Sequence, residues 1–265
     1  MTETPPEIPE MPDYRSGWIA DIIVALNFLT RIPVRPNFLF DMSAMTTACR
    51  CFPLIGVLIG GLSATIFLIA YFIGLPLLLA ALLCVATQIL LTGALHEDAI
   101  GDVADGFGGG ATRERKLEIM RDSRVGTYAV VMLILMIGMK VVAISSFENP
   151  FLGFSAILAA SVCSRGAMVW AMHLMPSARK DGLGAAAGKP TLTSALWALG
   201  FTVLIPLIVL DPFLASIGLL TAFLAALILG FIAYRQIGGQ SGDVLGSIQQ
   251  ISETGFLLAL VSLLP

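Results

Sequence analysis

The strongest constraint on this chain is a succession of apolar runs long enough to cross a bilayer. They cover about 52–72, 75–95, 129–147, 151–172, 193–210, 213–234 and 244–264. Each comes close to the roughly 20 residues that a helix needs to span the hydrocarbon core. Backbone inside a bilayer must satisfy its own hydrogen bonds, and runs of this length are too long for barrel strands. The expected fold is therefore all-α, a polytopic integral membrane helical bundle of about seven spans, with six to eight compatible with the pattern. Composition agrees: 12% of residues are charged, against about 25% in ordinary soluble domains. Trp18 to Thr30 is apolar but shorter, and reads as an interfacial or re-entrant segment. Met1 to Asp13 is acidic and proline-rich, without the basic start of a signal peptide. Residues 1–17 are expected as a disordered tail and 18–265 as one membrane-embedded domain.

The segments between runs alternate in charge. Gly74-Leu75-Pro76, Glu148-Asn149-Pro150 and Asp211-Pro212 carry no Lys or Arg, and the opposite segments carry 13 of the 15 basic residues. The positive-inside rule places the basic side in the cytoplasm. Lys140 and Arg165 are the two cations inside runs. The net charge of -3 is not diagnostic, and no nucleic-acid partner is expected. Cys49, Cys51, Cys84 and Cys163 lack the paired spacing of a structural zinc site and read as small apolar residues.

The richest chemistry lies at the basic side, in His96-Glu97-Asp98-Ala99-Ile100-Gly101-Asp102-Val103-Ala104-Asp105-Gly106. On a helix, Asp98, Asp102 and Asp105 share one face. Carboxylates this close repel each other unless a cation sits among them. Hard divalent ions such as Mg²⁺ take such oxygen ligands, usually together with substrate phosphates. These three acids are the candidate metal ligands. Glu97 points off that face and is a candidate base, and His96 reads as structural. Gly106 and Gly108-Gly109-Gly110 follow, a run whose backbone N–H groups can approach an anion closely, so Gly109 is a candidate substrate contact.

Three further groups supply charge. Arg113, Arg115, Lys116 and Arg124 are placed to clamp phosphate oxygens, and Asp122 either pairs with an arginine or adds a metal ligand. The segment around them is expected to form a short amphipathic helix, capped by Thr112, packing Leu117 and Met120 inward and stopping at Gly126. Gly238-Gly239-Gln240-Ser241-Gly242-Asp243 opens the last run, where Asp243, Ser247, Gln250 and Thr254 form a polar stripe. Ionisable groups in a span usually face the bundle interior and mark function. Gly242, Ser247 and Gln250 are candidate substrate contacts, and Asp102 and Asp243 candidate catalytic acids. Arg165 pairs with an acid of the cluster or reaches a phosphate, and Lys140 pairs with Glu253 or snorkels.

With these residues in view, the chain resembles the cobalamin synthase family, the adenosylcobinamide-GDP ribazoletransferases. The likeness rests on Phe28-Leu29-Thr30-Arg31-Ile32-Pro33-Val34, Phe52-Pro53-Leu54-Ile55-Gly56, the acid motif from Leu95 to Gly110, Arg115 through Gly126, and Gly238 through Glu253. Ala99, Gly101 and Gln240-Ser241 depart from the usual pattern but stay small or polar. The resemblance implies the last nucleotide-loop assembly step of cobalamin biosynthesis. Mg²⁺ is the implied cofactor. Adenosylcobinamide-GDP and α-ribazole, or α-ribazole 5′-phosphate, are the implied substrates, with GMP released. It further implies a multi-pass protein of the bacterial inner membrane, with its site on the cytoplasmic side. Homo-oligomers or association with other enzymes of the pathway are compatible with it. Two alternatives share some of the features: a CDP-alcohol phosphotransferase-type enzyme, through Asp102-x-x-Asp105-Gly106, and a secondary transporter with Arg165, Lys140, Glu253 and Asp243 as an ion relay.

Overall fold

Helix starts at the two short turns are written into the sequence. Asn149 and Asp211 accept from the backbone N–H groups of Phe151 and Phe213, and Pro150 and Pro212 follow as first helical residues. Side-chain caps satisfy donors that a helix leaves orphaned, and proline there sacrifices no hydrogen bond. The computed structural model describes residues 13–179 and 187–264. Its helices are α1 (Trp18–Leu29), α2 (Phe52–Phe72), α3 (Leu77–Thr92), α4 (Leu95–Gly109), α5 (Arg113–Ile119), α6 (Thr127–Ser145), α7 (Pro150–Leu174), α8 (Leu192–Val209), α9 (Pro212–Ile237) and α10 (Gly242–Val261). Short helical turns from Met42 to Cys51 lead into α2. Among the described residues there is no strand, only two isolated bridges.

Six helices are long and apolar enough to cross a membrane, or seven if the bent pair α3 and α4 forms one span. The expected helical bundle is therefore what forms. The bundle is layered by burial. The most apolar stretches of α7 and α10 are 78% and 72% buried, against 28% for α8 and 22% for α9. The first two form the centre and the last two turn wide apolar faces outward, as lipid-facing helices do. Gly56 and Gly60 let α2 lie directly on α7: a Cβ on Gly56 would sit 2.6 Å from the Ser161 carbonyl oxygen. Small residues permit such close crossings where hydrophobic burial alone gives little preference.

The centre is tied by one carboxylate. Arg165 pairs with Glu253 at 2.9 Å, and Lys140 reaches the same group at 3.7 Å. Gln88 donates to it at 2.9 Å, and Gln249 also bonds it. Glu253 thus joins α3, α6, α7 and α10. Arg165 was expected to meet the acid cluster or a phosphate; its partner is this glutamate, deep in the bundle.

The second expected span, 75–95, ends early. α3 stops at Gly93 (φ +67°), Ala94 is also left-handed (φ 59°), and α4 leaves at 89° to α3. The acid-bearing helix therefore departs sharply from the line of α3. Arg31 secures the bend: its N–H donates to the Leu91 carbonyl at 2.7 Å and its side chain covers Gly93, where a Cβ would lie 2.3 Å from Nε. α1 is a true helix but only 12 residues long, in keeping with a segment that does not span. Residues 13–17, expected within the tail, are engaged: the Tyr14 N–H donates to the Leu39 carbonyl at 2.8 Å, and its hydroxyl bonds Asp21 and Thr47. The rest of that tail, residues 1–12, lies outside the described residues, as do Lys180 to Gly184.

Candidate functional site

A cleft of about 230 Å³ opens where α4, α7 and α10 meet. Its polar lining is His96 and Asp98 from α4, Ser241, Gly242 and Asp243 from the start of α10, and Ser177 and Arg179 from the segment after α7. Local rules position each of these groups. Ser241 caps α10, accepting from the Val244 N–H at 3.3 Å and donating to Asp243 at 3.2 Å. The segment carrying Arg179 is held by backbone exchange with Gln240: Ala178 N–H donates to its carbonyl and its own N–H donates to Pro176, both at 2.8 Å. A Cβ on Gly239 would lie 2.1 Å from the Pro176 carbonyl oxygen, so only glycine permits that approach. Arg179 then reaches Asp243 at 3.3 Å and the Leu117 carbonyl at 3.4 Å.

Asp102 adjoins this lining, one turn along α4 from Asp98. Burial lifts its carboxyl to about 7, and repulsion from Asp98, Asp243 and Asp105 adds to the rise, with Arg179 opposing it. Asp98, Asp105 and Asp243 all stand near enough to Asp102 to act on it electrostatically, Asp243 from a different helix. Among the described residues, however, no three His, Cys, Asp or Glu side chains are grouped so as to hold a metal ion by themselves. Asp105 is engaged elsewhere: the Gly126 and Ala129 N–H groups donate to its two oxygens at 2.6 and 3.0 Å, capping α6. Asp122 meets Arg124 (both oxygens 3.0 Å from Nε), which holds its exposed carboxyl down to about 2. Of the two readings for Asp122, the arginine pair is the one that forms.

Several expected contacts serve the scaffold. Arg113 donates to the Ile237 and Ala178 carbonyls, each at 2.8 Å, binding the α9 end to the Arg179 segment. Lys116 bonds Gln236 and Arg115 pairs with Glu118 at 2.8 Å. Gln250 donates to Glu97 at 2.9 Å, and Ser247 donates to the Ala99 carbonyl at 3.1 Å. These last two bonds fasten α10 to α4, so this part of the polar stripe packs helices; only Asp243 of the stripe lines the cleft. The glycine run is helical through Gly109 rather than an open turn, and the Gly110 N–H is spent on the Gly106 carbonyl. Its glycines admit neighbours: a Cβ on Gly106 or Gly108 would collide with Met120 or Tyr128. Thr112 does cap α5 and Met120 is buried, but the helix ends at Ile119, and Gly126 caps the next helix.

Arg179 was legible only as one more cation of a basic loop. Its position depends on the pairing with Gln240, 61 residues away, which no local spacing announces. In the apolar lining of the cleft, Phe28 and Phe52 open two of the family-like motifs, whereas Met168 and Met172 carried no signal, since both sit in an apolar run.

Fold and site together define a polytopic helical membrane protein with an acid-and-arginine cleft at one end of the bundle. The chain belongs to the cobalamin-5-phosphate synthase family, whose model matches residues 21–261. It is 45% identical over 240 residues to the adenosylcobinamide-GDP ribazoletransferase of Bradyrhizobium diazoefficiens, covering 91% of this chain and 92% of that protein. Its identity to the Rhizobium meliloti protein of the same name is 41% over 261 residues, covering 94% and 98%. No solved structure matches it. The family resemblance carried by the motifs is therefore borne out.

Proposed function

We propose that this protein joins adenosylcobinamide-GDP to α-ribazole or its 5′-phosphate, as its relatives' name describes, giving adenosylcobalamin or its 5′-phosphate and GMP. The observation that carries this reading is the cleft itself: acids from two helices and one arginine gathered at the end of a bundle that matches the family throughout. The acceptor's ribose hydroxyl oxygen attacks the phosphorus attached to the cobinamide arm. A new P–O bond forms, the P–O bond to GMP breaks, and GMP leaves with the electron pair. Asp243 takes the hydroxyl proton, since it lines the cleft and can exchange its Arg179 partner for substrate. Glu97, fastened to Gln250, keeps α4 seated. Arg179 donates to the diphosphate, which needs charge stabilisation as the leaving group develops.

The donor set fits Mg²⁺. The ion is commonly held by one or two carboxylates plus substrate phosphates, and Asp98 and Asp102 offer hard oxygens whose mutual repulsion a cation relieves. When bound, it would neutralise the diphosphate and ease departure of GMP. The basic loops beside the cleft support a cytoplasmic location for this end, in a bacterial inner membrane, by the positive-inside rule. An ion relay is a poorer fit: Asp243 meets Arg179 at the cleft, whereas Lys140, Arg165 and Glu253 form a separate closed cluster.

Purified protein in lipid nanodiscs, supplied with donor and α-ribazole, should release GMP only when Mg²⁺ is present. Asp98→Asn and Asp102→Asn should each lower turnover by about a hundredfold or more, as loss of a transition-state charge partner does. Normal GMP release by either variant would overturn the metal assignment. Consumption of a CDP-linked donor would move the protein to the other phosphotransferase class.

A further inference from the structure

We propose that the apolar part of the cleft is the subsite for the heteroaromatic base of the acceptor nucleoside, with His96 as its hydrogen-bonding partner. This deepens the transferase reading and rests on it. Phe28, Met45, Phe52, Met168, Met172 and Leu245 line the cleft beside Asp98 and Asp243. The rings of Phe28 and Phe52 are stacked, with centroids 5.9 Å apart and planes 12° off parallel. Thioethers and aromatic rings attract a flat aromatic guest beyond simple area burial. None of the six side chains carries a conventional hydrogen-bonding group.

That composition selects between the two bases present in the reaction. Guanine's exocyclic amine and carbonyl would go unpaired against these six side chains, a costly desolvation, and would have to reach the polar residues of the same cleft. The benzimidazole of α-ribazole has no exocyclic polar group. Its one demand is a partner for the ring nitrogen not bonded to the sugar. His96 is among the residues lining the same cleft and is 1% exposed; its Nε2 is closed to solvent and has no hydrogen-bond partner, so a base reaches it only when the lining shifts. As an N–H donor it satisfies that nitrogen. The cleft volume of about 230 Å³ lies below the roughly 300–1,000 Å³ typical of drug-sized ligands. It suits one aromatic head group rather than the bulky cobinamide arm. A base held there brings its ribose hydroxyl into the cleft that holds Asp243.

The test uses full-length protein in nanodiscs, with two readouts: calorimetric titration with α-ribazole and with GMP, and separate KM values for donor and acceptor. Met172→Gln puts an amide on the apolar lining, Phe28→Leu removes the stack at a half-buried position, and His96→Phe removes the donor; Met172→Leu is the volume-conserving control. The first three should raise the acceptor KM and weaken α-ribazole binding by about tenfold, the scale of a single pocket contact, with donor KM unchanged and Met172→Leu near wild type. A rise in donor KM or loss of GMP binding, with the acceptor unaffected, would overturn the proposal and assign the lining to guanine. Unchanged values for both substrates would overturn it as well. Wild-type protein that binds α-ribazole yet releases no GMP would sink the transferase reading alone, and titration of the variants would still decide the subsite.

Discussion

Asp102 is surrounded by acids, and its ionisation has a direction that can be worked out. Burial, together with the neighbouring acids, pushes its carboxyl from 3.8 up to about 7 in the folded protein. Between those values the native state holds the proton and the unfolded chain does not. Stability of the metal-free protein should therefore fall as pH rises from about 4 to about 7. Asp102→Asn should remove that part of the slope, read as Tm against pH in EDTA; an unaltered slope would deny the crowding. Mg²⁺ should restore stability at the upper end of the window. Arg179 makes the complementary prediction. Arg179→Gln should raise the donor KM by about tenfold or more through loss of a charge-assisted contact, and a wild-type KM would remove it from the site. The periodicity of Asp98 and Asp102 was readable because one helix turn brings them together. The tasks of Arg113, Lys116 and Arg165 were not, because their partners lie on elements more than 60 residues away in sequence.

At the scale of elements, the bend between α3 and α4 determines where the acids point. A continuous helix would carry Asp98 and Asp102 onward from the span; the 89° turn at Gly93 and Ala94 lays them against the start of α10. Ala94 pays for that geometry with a left-handed backbone, which costs an L-residue roughly 1–2 kcal/mol. Ala94→Gly should relieve most of it, less glycine's larger unfolded-state entropy, for a net gain of about 0.5–1 kcal/mol. Thermal unfolding checks this, and a lower Tm would show that the turn is not strained. The opposite intervention is Gly246→Val, since a Cβ there would lie 2.5 Å from the Ala99 Cβ. It should force α4 off α10, destabilise by about 1–3 kcal/mol and depress turnover more than stability explains. The span ends were legible from Pro, Asn and Asp at the turns. The bend was not, because an apolar run followed by acids reads equally well as a straight helix leaving the membrane.

For the whole molecule, one buried glutamate joins four helices, and two cations depend on it. Removing one member of a buried ion pair typically costs about 3–5 kcal/mol, because the remaining charge stays desolvated. Glu253→Ala should therefore destabilise the bundle by about that amount, measured by denaturant titration in micelles, and a loss below about 1 kcal/mol would contradict a structural role. Six of the seven expected spans followed from hydropathy because the bilayer imposes a similar length on every crossing. Which helices sit at the centre did not, since α8 and α9 are more apolar than α7 and α10, which bury more polar and charged groups. The segments carrying Asp98, Arg179 and Asp243 meet only once that central pair is in place. The most direct test is a structure with Mn²⁺ replacing Mg²⁺ and a non-hydrolysable analogue of the GDP-linked donor. The metal should lie between Asp98, Asp102 and the diphosphate, with Arg179 on the phosphate oxygens. A diphosphate bound at the opposite end of the bundle, or a metal held away from these carboxylates, would contradict the proposed site.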